Sequence, residues 1–262
     1  MQITVLTDEM LQPTLAYLRH KPYRNALLLS NLSQLRERCD VLLARDGEQL
    51  IGVASTYHDL PAPNLIFTAT SNAAAPALIK QLAARNPRLQ YTTMALLPEA
   101  QFDQLQNAAI LISHEIEFQM VVEPETLRIP EQSHVTRLTH AELPALNELA
   151  EVAGLTVWHE GALDLGPAFG CFAEKRLVAM AATHFITPEI IEIGHVATHP
   201  AYRGRGYAKA ATAAVAQAAF ALAPHVFLMV LEQNTAAQAA YRSIGFYPIE
   251  RFYLARFQVD VS

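Results

Sequence analysis

Cysteine is nearly absent from this chain of 262 residues: it has Cys39 and Cys171 alone. Two cysteines make no disulfide framework, and no Cys or His spacing resembles a zinc site, so no metal is expected. Basic residues are also few. Nineteen Lys and Arg stand against 25 Asp and Glu, a formal charge of −6. That balance argues against a nucleic-acid partner, which calls for a basic face. Long apolar runs are missing too. The Ala-rich stretch 207–222 carries Lys209 and Gln217 and falls short of the ~20 apolar residues that a bilayer needs, so no membrane partner is expected. Residues 1–6 read as a strand, without the basic region and apolar run of a signal peptide, and a cytoplasmic chain is the expectation.

Apolar residues make up 52% of the chain, ample for one large core or two small ones. Pro124 and Pro130, set among charged residues, punctuate 123–132 and divide the chain into expected domains 1–125 and 133–262. In the second domain the pattern predicts a strand at 134–138, then a helix to about Val152 with Thr139 and Glu142 at capping-box spacing. An irregular stretch 154–167 holds the lone tryptophan. Strands at 168–173 and 177–185 form a hairpin, and an apolar strand follows at 190–198. A helix at 207–222, a strand at 225–231, a short helix carrying Tyr241 and a final strand at 247–257 complete the domain.

The first domain repeats this order. It reads strand (from Ile3), helices 9–19 and 26–38, hairpin 41–57, strand (from Leu65), helix 74–85, strand (from Tyr91), helix 99–107 and strand 110–122. Residues 43–54 and 172–181 align with a two-residue gap, which suggests a tandem duplication. The class is α/β (α+β), with mixed, mostly antiparallel sheets flanked by helices.

The most informative segment is the turn Arg203-Gly204-Arg205-Gly206-Tyr207-Ala208, between the strand at 190–198 and the long helix. A glycine turn at a helix start points free N–H groups one way, and the helix dipole adds partial positive charge, which suits a phosphate or pyrophosphate. The turn lacks the Walker A pattern, and Lys209 stands where a dinucleotide-binding turn needs a small residue. Further on, Asn234, Ala237, Tyr241, Gly245 and Phe246 form the spacing N-x-x-A-x-x-x-Y-x-x-x-G-F.

Together these segments resemble the GNAT superfamily of acyl-CoA N-acyltransferases, from about Ser133 onward. Arg203, Gly206 and Ala208 match its [QR]-x-x-G-x-[GA] pyrophosphate signature. The resemblance implies a tandem GNAT-like fold and an acetyl-CoA co-substrate. The acetyl group would pass directly to a primary amine on a small molecule or peptide. Residues 203–208 would hold the cofactor, with Val196, Ala197 and Thr198 pairing with its pantetheine arm and Asn234 beside them. Tyr241 matches the family's proton donor. Glu192, eleven residues before Arg203, resembles the position of a glutamate base.

His195 is another candidate base, but strict alternation along a strand sets it on the face opposite Glu192. His184 is a third, and His199 reads as structural. Trp158, His159 and Glu160 are residue types that read an amine, by ring face, hydrogen bond and carboxylate. The first domain has Thr70-Ser71-Asn72-Ala73-Ala74-Ala75 where the phosphate turn would fall, with neither glycine nor arginine. It reads as a degenerate copy. A non-catalytic acyl-CoA sensor is the alternative function, and a monomer or homodimer the expected assembly.

Overall fold

The structure is a computed structural model and describes residues 1–131, 135–155 and 158–259. The chain divides into two compact units, Met1–Glu117 with Glu250–Ser262 and Phe118–Ile249. The first unit runs β1 (Gln2–Val5), α1 (Asp8–Arg19), α2 (Ala26–Leu32), β2 (Cys39–Asp46), β3 (Gln49–Tyr57), β4 (Ile66–Ala69), α3 (Ala74–Arg85), β5 (Thr93–Pro98), α4 (Glu99–Gln106) and β6 (Ala109–Val122). The second unit begins within β6. It continues through β7 (Val135–Arg137), α5 (Leu143–Ala153), α6 (Ala162–Leu165), β8 (Ala168–Ala173), β9 (Arg176–Ile186), β10 (Ile190–Thr198), α7 (Tyr207–Ala219), β11 (His225–Leu231), α8 (Thr235–Ser243) and β12 (Tyr247–Val259). The chain re-enters the first unit at Glu250, inside β12.

In the first unit β1-β2-β3-β4 form an antiparallel sheet, and β5 pairs antiparallel with the Phe252–Phe257 part of β12. Between the β4 and β5 branches the link is one parallel bridge, Asn64 to Met94. The core joins Leu42, Phe67, Leu78, Ile79, Leu82, Leu97 and Phe257. The helix expected over 26–38 stops at Leu32, where the Ser33 hydroxyl donates to the Leu29 carbonyl at 2.6 Å, and a separate 3₁₀ turn covers Arg36–Arg38.

In the second unit the strand order is β6-β11-β10-β9-β8-β7. β10 is antiparallel to β9 and parallel to β11. One apolar layer joins Ile191, Ile193, Ala211, Val215, Leu228, Tyr241 and Phe246. A second joins Leu146, Leu149, Met180, Ala182 and Ala197, with Trp158 packed on it. The sheet thus carries α7 and α8 on one face and α5 on the other. Alanines at 210, 211, 213, 216 and 219 are all buried, and their small side chains bring α7 close to the strands.

The capping box at Thr139 is present: Glu142 accepts from the Thr139 N–H at 2.8 Å and holds its carboxyl below the usual carboxylate range through that bond. It opens a 3₁₀ turn that leads into α5 rather than the helix itself. Gly245 closes α8 with φ +100, and a Cβ there would run into the Thr126 carbonyl. His134 of the expected first strand, and Thr156 and Val157 of the irregular stretch, lie outside the described residues. No helix among the described residues is long and apolar enough to cross a membrane.

Candidate functional site

β10 and β11 lie side by side only at their beginnings. Ile190–Ile193 pair with His225–Leu228, and the parallel register ends there. Beyond that point a cleft of about 780 Å³ opens along the end of β10. Val196, Ala197 and Thr198 line it from β10, and Asn234, Ala236, Ala237, Ala240 and Tyr241 from the α8 side. Its mouth is the turn: Arg203, Gly204, Gly206, Tyr207, Ala208 and Lys209. The volume suits a large ligand.

Gly206 is the N-cap of α7 at φ +86 and brings no capping side chain. The first intrahelical bond runs from the Ala210 N–H to the Gly206 carbonyl, 3.2 Å. The N–H groups of Tyr207, Ala208 and Lys209 therefore have no carbonyl inside the helix, and they stand at the positive end of its dipole. A phosphate fits this chemistry, with Arg203 and Lys209 beside it. Arg205 stands apart from the lining; its guanidinium lies over the Tyr202 ring, 5.2 Å from the centroid. Asn234 lines the cleft and also caps α8, accepting from the Ala237 N–H at 3.1 Å.

Tyr241 faces the cleft but is only 7% exposed. Burial pushes its phenol up to about 12, so it stays protonated at neutral pH. Complete transfer of that proton to a thiolate of ordinary basicity is uphill by roughly three pK units. A hydrogen bond donated by its phenol is the chemistry the residue can supply.

Strict alternation fails along β10. The pairing with β9 shifts between Glu192 and Ile193 and again between Gly194 and Ala197, and His195 sits in the bulge at φ +50. The extra residue turns His195 to the face that carries Glu192, which corrects the expectation of opposite faces. His184 on β9 joins them. Its Nδ1 lies 3.2 Å from Glu192 Oε1, and its ring meets the His195 ring edge-on at 5.3 Å. Trp158 and His159 close round His195 at 5.4 and 5.5 Å, so this part of the irregular stretch does reach the strand. The Trp158 indole donates to Asn147 on α5 at 2.8 Å, which fixes the ring.

His195 is 3% exposed, and neither ring nitrogen has a partner among the described residues. Burial first, then the charges of His184 and His159, pushes it down to about 3, so it is neutral at pH 7. Glu160 is exposed. His199 accepts from the Ala201 N–H at 3.2 Å and holds the 3₁₀ turn Pro200–Tyr202, a structural place. Among the described residues no group of three His, Cys, Asp or Glu could hold a metal ion. The sequence reading missed the His184–Glu192 pair, because it arises between two strands. The bulge alone had a local signal, the Gly194-His195 step inside an apolar strand.

The chain is similar to known proteins in one domain and in its fold. Residues 135–246 match the model of the Acetyltransferase (GNAT) family. No curated protein sequence matches the chain. Among solved structures, a tandem GNAT protein from the clavulanic acid biosynthesis pathway is 13% identical, with a TM-score of 0.66 over 100% of this chain and 98% of its own. An acetyltransferase from the GNAT family of Colwellia psychrerythraea is 15% identical, with a TM-score of 0.63 over 98% and 100%. A GCN5-related N-acetyltransferase from Sphaerobacter thermophilus is 15% identical, with a TM-score of 0.64 over 98% and 95%. At these identities the structures speak for the fold, while the family model speaks for the domain. Residues 135–246 are thus similar to the GNAT acetyltransferase family over the length of its model, and the chain as a whole has a tandem GNAT-like fold.

Proposed function

We propose that the chain is an acetyl-CoA-dependent N-acetyltransferase that passes the acetyl group directly to a primary amine. The observation that carries this reading is the cleft along the end of β10, closed at its mouth by the uncapped start of α7. In this reading the domain 133–262 is catalytic and 1–125 is a degenerate copy.

The cofactor supplies an activated acetyl thioester. The N–H groups of residues 207–209 and the charges of Arg203 and Lys209 would hold its phosphates. The edge of β10 at Val196, Ala197 and Thr198 faces the cleft and can pair with an extended amide-bearing arm, as an added strand does. A backbone N–H there can also meet the carbonyl oxygen as it gains charge. Tyr241 donates a hydrogen bond to the sulfur as it becomes a thiolate. Glu192, buried on β10, belongs to the machinery that frees the amine of its proton.

The test is thiol release from acetyl-CoA and from longer acyl-CoA esters against a panel of small amines and amino-terminal peptides. Amine-dependent release, fastest with acetyl-CoA, supports the reading. Cofactor binding without turnover on any amine would make the chain an acyl-CoA sensor instead.

A further inference from the structure

The cleft has a wall that the cofactor reading leaves unused. Ala153, Gly154 and Leu155, where α5 ends, line it. None of the three side chains carries a polar atom. The N–H of Gly154 donates to the Glu151 carbonyl at 3.1 Å, and that of Leu155 to the Ala150 carbonyl at 2.8 Å. The cations of the lining, Arg203 and Lys209, stand at the mouth. This wall therefore suits a hydrocarbon rather than a charged group.

Its place in the cleft follows from the chain around it. Gly154 ends α5 in the left-handed conformation, at φ +74. Half-buried Leu155 then packs on the apolar layer that contains Leu149, Met180 and Ala197. Ala197 itself lines the cleft from β10. Trp158, three residues on, lies on the same layer and meets the His195 ring at 5.4 Å. From Leu155 the chain thus passes from the level of Ala197 to that of His195, against the direction of β10 and away from the turn 203–208.

Resting on the acetyltransferase reading, we infer that Leu155 sets the length of the acyl group, and that the chain takes short, uncharged acyl thioesters. With the phosphates at the mouth and the arm along Thr198, Ala197 and Val196, the thioester arrives on the inner side, where Leu155 and Tyr241 line the cleft. The Leu155 side chain then stands in the path of a longer acyl chain. Its backbone is held by the bond to Ala150, so the wall does not retreat without breaking the end of α5. A smaller side chain would open the path, and a larger one would close it on the acetyl methyl.

The test is calorimetric titration of the full chain with coenzyme A, acetyl-CoA and hexanoyl-CoA, which needs no acceptor amine. The parent chain should bind hexanoyl-CoA at least ~10-fold more weakly than acetyl-CoA. Leu155→Ala should reverse that order, tightening hexanoyl-CoA at least ~10-fold and loosening acetyl-CoA about 4-fold, since its methyl then borders a gap. Leu155→Trp should weaken acetyl-CoA about 10-fold. Coenzyme A, which has no acyl group to meet the wall, should bind the parent and both variants alike. Leu155→Val replaces the alanine variant if that one fails to fold, with a gain for hexanoyl-CoA of about 4-fold. A parent chain that binds both esters equally, or a ratio that the Leu155 variants leave unchanged, overturns the inference. So does a Leu155→Trp variant that weakens coenzyme A as much as acetyl-CoA, because the wall would then meet the arm. A parent chain that binds neither coenzyme A nor its esters would overturn the proposed function, and this inference with it.

Discussion

The starts of α3 and α7 hold the same place in the order of their units, each after the strand that follows a hairpin. At α7 the cap is Gly206 at φ +86, with no side chain over the first N–H groups. At α3 the cap is Ala73 at φ −83, likewise without a side-chain cap bond, and the Ser71 hydroxyl accepts from the N–H of Ala73 itself at 3.2 Å. The helix after the next strand differs in the same sense. Counted from their first residues, Gln101 and Gln104 of α4 stand where α8 has Ala237 and Ala240. Gln101 donates to the Thr68 hydroxyl, and Gln104 to the Ala69 carbonyl and to Asn72, each at 3.4 Å. Ala237 and Ala240 line an open cleft. At this place the two units thus differ in one turn and in two side-chain sizes.

The largest effect should come from Gly206→Trp. It forces a left-handed backbone position on a bulky residue and crowds Lys209, whose Cε would lie 3.1 Å from the new Cβ. Acetyl-CoA affinity by calorimetry should fall at least ~100-fold, about 3 kcal/mol. Ala73→Trp, at the matching turn of the first unit, should leave that affinity unchanged.

Tyr241→Phe should lower kcat about 10–100-fold while the acetyl-CoA dissociation constant holds, since one hydrogen bond to developing charge is lost. Leu105, at the matching place in α4, is apolar and buried, so Leu105→Ala should cost stability alone, about 2–5 kcal/mol in urea unfolding.

His195 sharpens the comparison through pH. Its folded value is lowered to about 3, so the unfolded chain binds a proton below about 6.5 that the folded chain refuses. This contribution to stability is present above pH 6.5 and is lost as pH falls towards 3, at up to about 1.4 kcal/mol per pH unit. Urea midpoints of the second unit should drop in acid, and His195→Leu should flatten that dependence.

The smallest expected effect is at the caps. Thr139→Ala removes a complete capping box and should cost about 1 kcal/mol, whereas Thr7, which makes no side-chain cap bond at α1, should tolerate alanine within a few tenths.

What could be read in the chain beforehand was local. The turn 203–208 declares itself because a left-handed glycine and an uncapped helix start are written in consecutive residues. The Asn234 cap and the Gly245 stop declare themselves for the same reason. Three features escape a strict period of two. Glu192 meets His184 only because β9 and β10 pair with a shifted register. His195 joins them because one inserted residue breaks the period of two. The glutamines of α4 reach Thr68 and Ala69 across more than thirty residues of chain. Periodicity within one element carries none of this.

The central claim is that the tandem fold keeps one cofactor groove, in the second unit. Calorimetric titration of acetyl-CoA into the full chain tests it most directly. The account predicts one site per chain, abolished by Gly206→Trp. Two sites, or one that survives that substitution, would contradict it.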